Sequence, residues 1–374
     1  MSIKKRLATL ALAFAMLAGL TACDQADDSV DGDSGTVDTQ IETVSPEEEK
    51  LNHLLECKAT LRFAENGEFR ILVLSDLHIP AGGIPEKGMV HVRNIVEKEK
   101  PDLIILDGDN IVDNTIATEE AFKTALDSVA SYFETRGIYW MHVFGNHDVE
   151  MGVSLEQQQA IYESYDHCLS KDPNKELTGV GNYVIPVYGS TGDEVKFAVW
   201  GIDSNSYLSA EEKALLFPLN ASGFSGYTKT MYDYIHYDQI EWYRNTSELM
   251  ESQLGQKIPG LMVFHIPLQE SYAAWRNHKP MEEWSGSKLE DVCASAYNPG
   301  FFDVLRNRGD IKAVVNGHDH SNDFMVKYAG IKLCYASTVS TTTYGGPTGA
   351  RVLVINESNP SNVDTYISYL RDIE

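Results

Sequence analysis

The sequence predicts an α/β fold, and two observations carry that prediction. Apolar runs of strand length alternate with stretches whose apolar residues recur at helical spacing, the order from which parallel sheets are built. Five of the apolar runs also end in a cluster of Asp, Asn or His, at the strand ends where ligands collect in open α/β sheets.

The elements follow in order. Leu61-Arg62-Phe63 and Phe69–Leu74 read as a hairpin turning at Asn66-Gly67, with the second run leading into Ser75-Asp76-Leu77-His78. Met89, Val92, Ile95 and Val96 mark a helix face. Leu103-Ile104-Ile105-Leu106 then reads as a strand buried on both sides, turning at Gly108 and leaving Asp109 at its C-terminal end. Phe122, Ala125, Leu126, Val129 and Phe133 give a second helix, and Ile138–Phe144 a strand running into Gly145-Asn146-His147-Asp148. A helix near Leu155–Leu169 and strands near Tyr183–Val187 and Lys196–Ile202 precede a Gly- and Tyr-rich run that reads as loop. Tyr237–Leu254 is helical, Gly260–Phe264 is a strand ending at His265, and a helix over Phe301–Arg308 leads to Ile311–Asn316 and Gly317-His318-Asp319-His320. Short strands are expected at Phe324–Tyr328, Ile331–Tyr335, Ala350–Ile355 and Val363–Tyr369.

The N-terminus is a separate matter. Lys4, Lys5 and Arg6 precede an apolar segment, Leu7–Leu20, too short to span a bilayer. It ends in Leu20-Thr21-Ala22-Cys23, which resembles the lipobox of bacterial lipoproteins and implies cleavage before Cys23 and acylation of it. Residues 1–22 are therefore expected to be a signal peptide, 23–57 an acidic flexible tether with a short helix in its last part, and 58–374 the folded domain. The expected setting is the cell envelope, extracytoplasmic, with membrane contact through the lipid alone. Cys57, Cys168, Cys293 and Cys334 match no disulfide framework or zinc site and are expected as packed or free thiols.

The 374-residue chain carries 30 basic and 55 acidic residues, a net charge of -25. That balance argues against nucleic acid, whose phosphates are bound by Lys and Arg clusters. It is compatible with a phosphorylated substrate if cations neutralise it locally.

The strand ends offer Asp76, His78, Asp109, Asn146, His147, His265, His318 and His320. In Asp-Leu-His and His-Asp-His, alternate residues of an extended segment point the same way, so each pair can reach one metal. Carboxylate, imidazole and amide oxygen without thiolate suit Mn, Fe or Zn. Even seven of these eight would be too many for one tetrahedral ion, and they suit two ions sharing a carboxylate.

The order Asp-Leu-His, Gly-Asp, Gly-Asn-His-Asp, His, Gly-His-Asp-His resembles the calcineurin-like metallophosphoesterases. The resemblance implies a four-layer αββα sandwich and two divalent or mixed-valence metal ions. By matching position, Asp76, His78, Asp109 and His320 would hold one metal, and Asp109, Asn146, His265 and His318 the other, with Asp109 as bridge. His147 resembles the family's non-ligand histidine, which stabilises the transition state or protonates the leaving oxygen, and Asp148 is expected to orient it. Many members carry an Asp three residues after the bridging one, and purple acid phosphatases a Tyr, whose bond to ferric iron gives the colour. Here Val112 stands there, with an Asp only at Asp113, which argues against a purple site. The closer likeness is to the purple-acid-phosphatase-like branch that includes fungal Dcr2-type proteins. It rests on Phe69-Arg70-Ile71, Gly108-Asp109-Asn110-Ile111, Phe264-His265-Ile266-Pro267, the run Gly317–Phe324, and Gly349-Ala350-Arg351-Val352.

The expected function is a lipid-anchored hydrolase cleaving phosphomonoesters with metal-activated water. One alternative keeps the site and changes the substrate to a phosphodiester or nucleotide; another reuses the fold as a non-catalytic surface-binding lipoprotein. Tyr207, the tyrosines from Tyr227 to Tyr237, Tyr272, Trp275 and Trp284 are candidates for an aromatic wall over the metals.

Overall fold

The computed structural model describes residues 44–373 except 218–227, 230, 282, 345 and 347. The expected signal peptide, the lipidation site Cys23, most of the expected tether, and Tyr227 lie outside the described residues.

Two sheets face each other. One has five strands in the order Val363–Tyr369, Gly349–Asn356, Glu68–Leu74, Leu103–Asp107 and Trp140–Val143. The other has eight, in the order Leu61–Arg62, Tyr183–Tyr188, Val195–Gly201, Gly260–Val263, Ile311–Asn316, Ile331–Tyr335, Met325–Tyr328 and Trp284–Ser285. Strand alternation assigns each face. Ile71, Val73, Leu103 and Ile105 of the first sheet meet Val199, Leu261, Val263 and Val315 of the second in a core between the sheets. Their neighbours Leu72, Leu74, Ile104 and Leu106 point outward against Val92, Ile95, Phe122, Val129 and Phe133 of the helices Glu86–Glu99 and Glu119–Glu134. On the far side, Trp200, Met262, Val314 and Leu333 pack on Leu51, Tyr243, Met250 and Phe301, from the helices Pro46–Leu55, Tyr237–Leu254 and Phe301–Arg308. The layers are helix, sheet, sheet, helix, and burial on both faces explains why the strand sequences read as unbroken apolar runs.

Three expectations change. Leu61–Arg62 and Glu68–Leu74 do not form a hairpin: Asn66-Gly67 does sit in a turn, yet Leu61 pairs in parallel with Val187 in the eight-stranded sheet, and Glu68–Leu74 belongs to the five-stranded one. The segment crosses between the sheets, and Leu61, Phe63 and Phe69 all reach the core there. The packed chain also starts before residue 58. Ser45 caps the helix Pro46–Leu55, and that helix buries Leu51, Leu54 and Leu55, so its acidic first turn concealed an apolar face. Lys171 fastens its end by donating to the Leu54 carbonyl at 2.6 Å. The helix expected to run on to Leu169 ends at Glu163.

Among the described residues, Cys57, Cys168, Cys293 and Cys334 form no disulfide. Arg351 is fully buried and donates to the carbonyls of Asp323 and Tyr335 at 2.8 and 2.7 Å, tying the segment that follows His320 to the five-stranded sheet. Among the described residues, no helix is long and apolar enough to cross a membrane.

Candidate metal centre

The five strand ends converge, three from the five-stranded sheet and two from the eight-stranded one. Asp76 and His78 follow Glu68–Leu74, Asp109 follows Leu103–Asp107, and Asn146 and His147 follow Trp140–Val143. His265 follows Gly260–Val263, and His318 and His320 follow Ile311–Asn316. The ligand atoms of Asp76, His78, Asp109 and His320 lie within 4.8 Å of one another, as do those of Asp109, His265 and His318. Asp109 belongs to both groups.

The backbone that presents them is unusual. Asp76, His78, Asp109 and His318 all adopt left-handed φ, at 52°, 46°, 48° and 72°. Such conformations cost of order 1–3 kcal/mol each and persist where the surroundings enforce them. The expectation that Asp76 and His78 share a direction because the segment is extended therefore reached the right pair by the wrong geometry. Glycine clears the space around them: a Cβ on Gly108 would lie 2.4 Å from His265 Nδ1, and one on Gly317 2.0 Å from Ser75 Oγ.

Electrostatics compensate inside the cluster. Asp109 Oδ2 lies 3.0 Å from His265 Nε2 and 3.8 Å from His78 Nε2, and Asp76 Oδ1 lies 3.2 Å from His320 Nε2. Burial pushes both carboxyls up, but the surrounding imidazoles together outweigh it, His265 foremost, with His147 and His78 beside Asp109 and His320 beside Asp76, and hold both below the usual carboxylate range. Burial opposes charge on His265 as well, and the carboxylates of Asp109 and Asp76 raise it well above an ordinary imidazole. Burial, with His265 adding to it, brings His318 down to about 3, so it is neutral with a lone pair to offer.

The donor set fits two cations. His78 Nε2, His265 Nε2, His318 Nε2 and Asn146 Oδ1 are buried without a hydrogen-bond partner, an expensive arrangement unless a ligand supplies the partner. Supporting contacts aim them: His265 Nδ1 meets the Asp107 carbonyl at 2.8 Å, Thr343 Oγ1 meets His320 Nδ1, and Ser75 donates to Asp76 Oδ2 at 2.5 Å.

Asp148 makes no hydrogen bond to the His147 ring. It is fully buried, and Oδ2 accepts the backbone N–H groups of Asp109 at 3.0 Å and Gly145 at 2.8 Å. Burial and the Asp109 charge push its carboxyl up to about 7. The carboxylate beside His147 is Glu150, with Oε1 3.0 Å from His147 Nδ1, although the N–H is not aligned for a hydrogen bond. His147 is itself half-exposed, with its ring 5.6 Å from that of His78.

Only part of the expected aromatic wall stands at the site. Tyr232 presents its ring edge-on to His318 at 4.6 Å, and Tyr207 stacks on Tyr232 at 5.9 Å. Trp275 and Trp284 instead gather around His278 beside Phe324. Tyr344, which carried no sequence signal, stacks on His320 at 4.3 Å. Asp113 shapes its own turn by accepting from Ala81 and Thr115, and belongs to neither ligand group.

The model of the calcineurin-like phosphoesterase family matches residues 69–322. An Arabidopsis thaliana protein named "Probable inactive purple acid phosphatase 14" is 30% identical over 80% of this chain and 77% of its own length. A Saccharomyces cerevisiae protein named Phosphatase DCR2 is 28% identical over 74% of this chain and 48% of its own. A solved dimetal phosphatase from Danio rerio superposes with a TM-score of 0.49 at 13% identity, over 80% of this chain and 98% of that one.

Proposed function

Because the chain belongs to the calcineurin-like phosphoesterase family, we propose that it is an active dinuclear-metal phosphoesterase with a preference for phosphomonoesters. The observation that carries the reading is Asp109, shared by two buried groups of ligand atoms, with the half-exposed His147 beside them. Asp76, His78, Asp109 and His320 would hold one ion, and Asp109, Asn146, His265 and His318 the other. Bound there, two cations supply Lewis-acid charge for the phosphoryl oxygens and activation of water for in-line attack.

The remaining work falls to side chains. Asp109 sets the spacing of the two positions, because one carboxylate must serve both. His265 would offer its Nε2 lone pair to a cation only as neutral imidazole, so loading this site would be accompanied by proton release. His147 lies outside both ligand groups and gives a proton to the departing ester oxygen. The preference for monoesters is supported by the relatives named as phosphatases. An extracytoplasmic, lipid-anchored setting is part of the same proposal, supported by Lys4-Lys5-Arg6, the apolar Leu7–Leu20 and Cys23.

The test is metal analysis of the purified protein followed by turnover of p-nitrophenyl phosphate and bis(p-nitrophenyl) phosphate. Two equivalents of metal with faster cleavage of the monoester support the reading, and faster cleavage of the diester would move it to a phosphodiesterase. A second reading is a non-catalytic binding protein, favoured by the word "inactive" in the name of the Arabidopsis relative. Two bound metals with no turnover of either ester would establish it in place of the first.

A further inference from the structure

We infer that Tyr207 and Glu150 are positioning residues that tie the metal-facing amide of Asn146 to the ring of His147, an inference that rests on the phosphoesterase reading. Asn146 Nδ2 donates to the Tyr207 hydroxyl at 2.9 Å. That hydroxyl donates in turn to Glu150 Oε1 at 3.1 Å, and the same carboxylate oxygen lies 3.0 Å from His147 Nδ1.

The direction of each contact is fixed by chemistry. A carboxylate can only accept, so the Tyr207 proton is committed to Glu150 and the hydroxyl oxygen is left as an acceptor. The group facing it from Asn146 must therefore be the amide nitrogen. An amide that is free to flip would place nitrogen or oxygen toward the cation with similar ease. Here the flip is closed off, and Asn146 Oδ1 is left buried without a partner, on a residue whose neighbours both border Asp109: the His147 N–H donates to Asp109 Oδ1 at 2.8 Å, and a Cβ on Gly145 would lie 2.3 Å from that oxygen. Tyr207 thus orients a ligand without being one.

Glu150 acts at the other end. Its Oε1 stands 3.0 Å from Nδ1 and favours a proton on that nitrogen, which leaves Nε2 for the ester; the ring itself sits 5.6 Å from that of His78. The neighbouring carboxylate, Asp148, cannot serve, since it is bound to the backbone of Asp109 and Gly145. The misaligned N–H of His147 fits a contact that tightens when substrate is bound. Tyr207 comes from the loop after Val195–Gly201, so the relay joins a residue of the eight-stranded side to the Asn146–Glu150 turn of the five-stranded side.

The experiment compares Tyr207→Phe and Glu150→Gln with the wild type. Mn²⁺ titration reads metal affinity, and kcat and KM are measured on p-nitrophenyl phosphate and on glycerol phosphate. The phenyl ring of Y207F keeps the stack on Tyr232, and Glu150 is partly exposed, so both variants should fold. In Y207F the second Mn²⁺ should bind roughly 10-fold more weakly. In E150Q, Mn²⁺ affinity and KM should hold while kcat on glycerol phosphate falls roughly 10-fold. The fall on p-nitrophenyl phosphate should be much smaller, because that leaving group needs no proton. Wild-type Mn²⁺ affinity in Y207F, or an equal effect of E150Q on both esters, would overturn the inference alone. A wild type that neither takes up two Mn²⁺ nor turns over either ester would overturn the phosphoesterase reading, and this inference with it.

Discussion

The carboxylate of Asp148 accepts the backbone N–H of Asp109 at 3.0 Å, and its contribution to the site runs through that bond. The second bond, from Gly145, closes the Asp148 carboxylate over the turn that carries Asn146. Asp148 therefore holds two ligand-bearing turns together, in one of which Asp109 keeps its left-handed φ of 48°.

Asp148→Ala should consequently behave as a metal-binding defect. We expect Mn²⁺ affinity to fall about 10–100-fold, the range found for outer contacts of metal ligands. Saturating Mn²⁺ should restore most of the turnover. Titration of metal against activity checks this, and a variant with normal affinity but dead chemistry would refute it.

His147→Ala should behave in the opposite way. The side chain is in neither ligand group, so both metals should remain while kcat drops about 10²–10⁴-fold on esters with poor leaving groups. The check is metal content alongside kcat on glycerol phosphate. Full occupancy with unchanged turnover would remove His147 from the chemistry.

Gly108→Ala should damage the site without touching a ligand. Gly108 has φ +74°, and its new methyl would meet His265 Nδ1 at 2.4 Å. The conformational cost alone is about 1 kcal/mol. Displacement of His265 should add loss of metal to a lower Tm. Calorimetry with and without Mn²⁺ measures both, and a Tm equal to wild type would contradict the close approach.

One pH dependence follows from a pair outside the site. Partial burial opposes charge on His236, but the Asp233 carboxylate 3.0 Å away outweighs it and raises the imidazole above its ordinary value. A folded-state pKa above the unfolded one, about 6.5, adds stability that is complete below pH ~6 and disappears as pH rises through the folded value. His236→Phe retains a ring to stack on Tyr234 and loses the charge. Its stability deficit should be largest in mild acid and shrink toward pH 8 in denaturant titrations. A gap that is constant with pH would show the pair to be inert.

Much of the site is legible in the sequence because metal ligands at strand ends leave short, ordered signatures. Asp76, His78, Asp109, His265, His318 and His320, which the structure gathers into two groups sharing Asp109, are all legible as candidates from residue chemistry and position. The supporting residues were harder. Adjacency suggested Asp148 as the partner of His147, but successive side chains in the turn diverge, and Asp148 faces inward to backbone. Glu150, three residues from His147, was the signal available and unused. Tyr207 sits far from Asn146 in sequence, so only the fold reveals the contact. The lead-in helix is legible but its packing is not, because Glu47, Glu48 and Glu49 dominate its composition while three leucines decide where it sits. The crossing at residues 61–69 was hidden because a tight turn fits a hairpin and a sheet change equally well.

The candidate ligands hang from both sheets, and that origin bears on how the molecule comes apart. Asp76, His78, Asp109 and Asn146 extend from the five-stranded sheet, and His265, His318 and His320 from the eight-stranded one. Cations held between them would rivet the two halves together at one end of the sandwich. The halves could then no longer open separately, and local openings of either sheet would merge into one cooperative event. Catalysis and resistance to unfolding would then draw on the same few atoms.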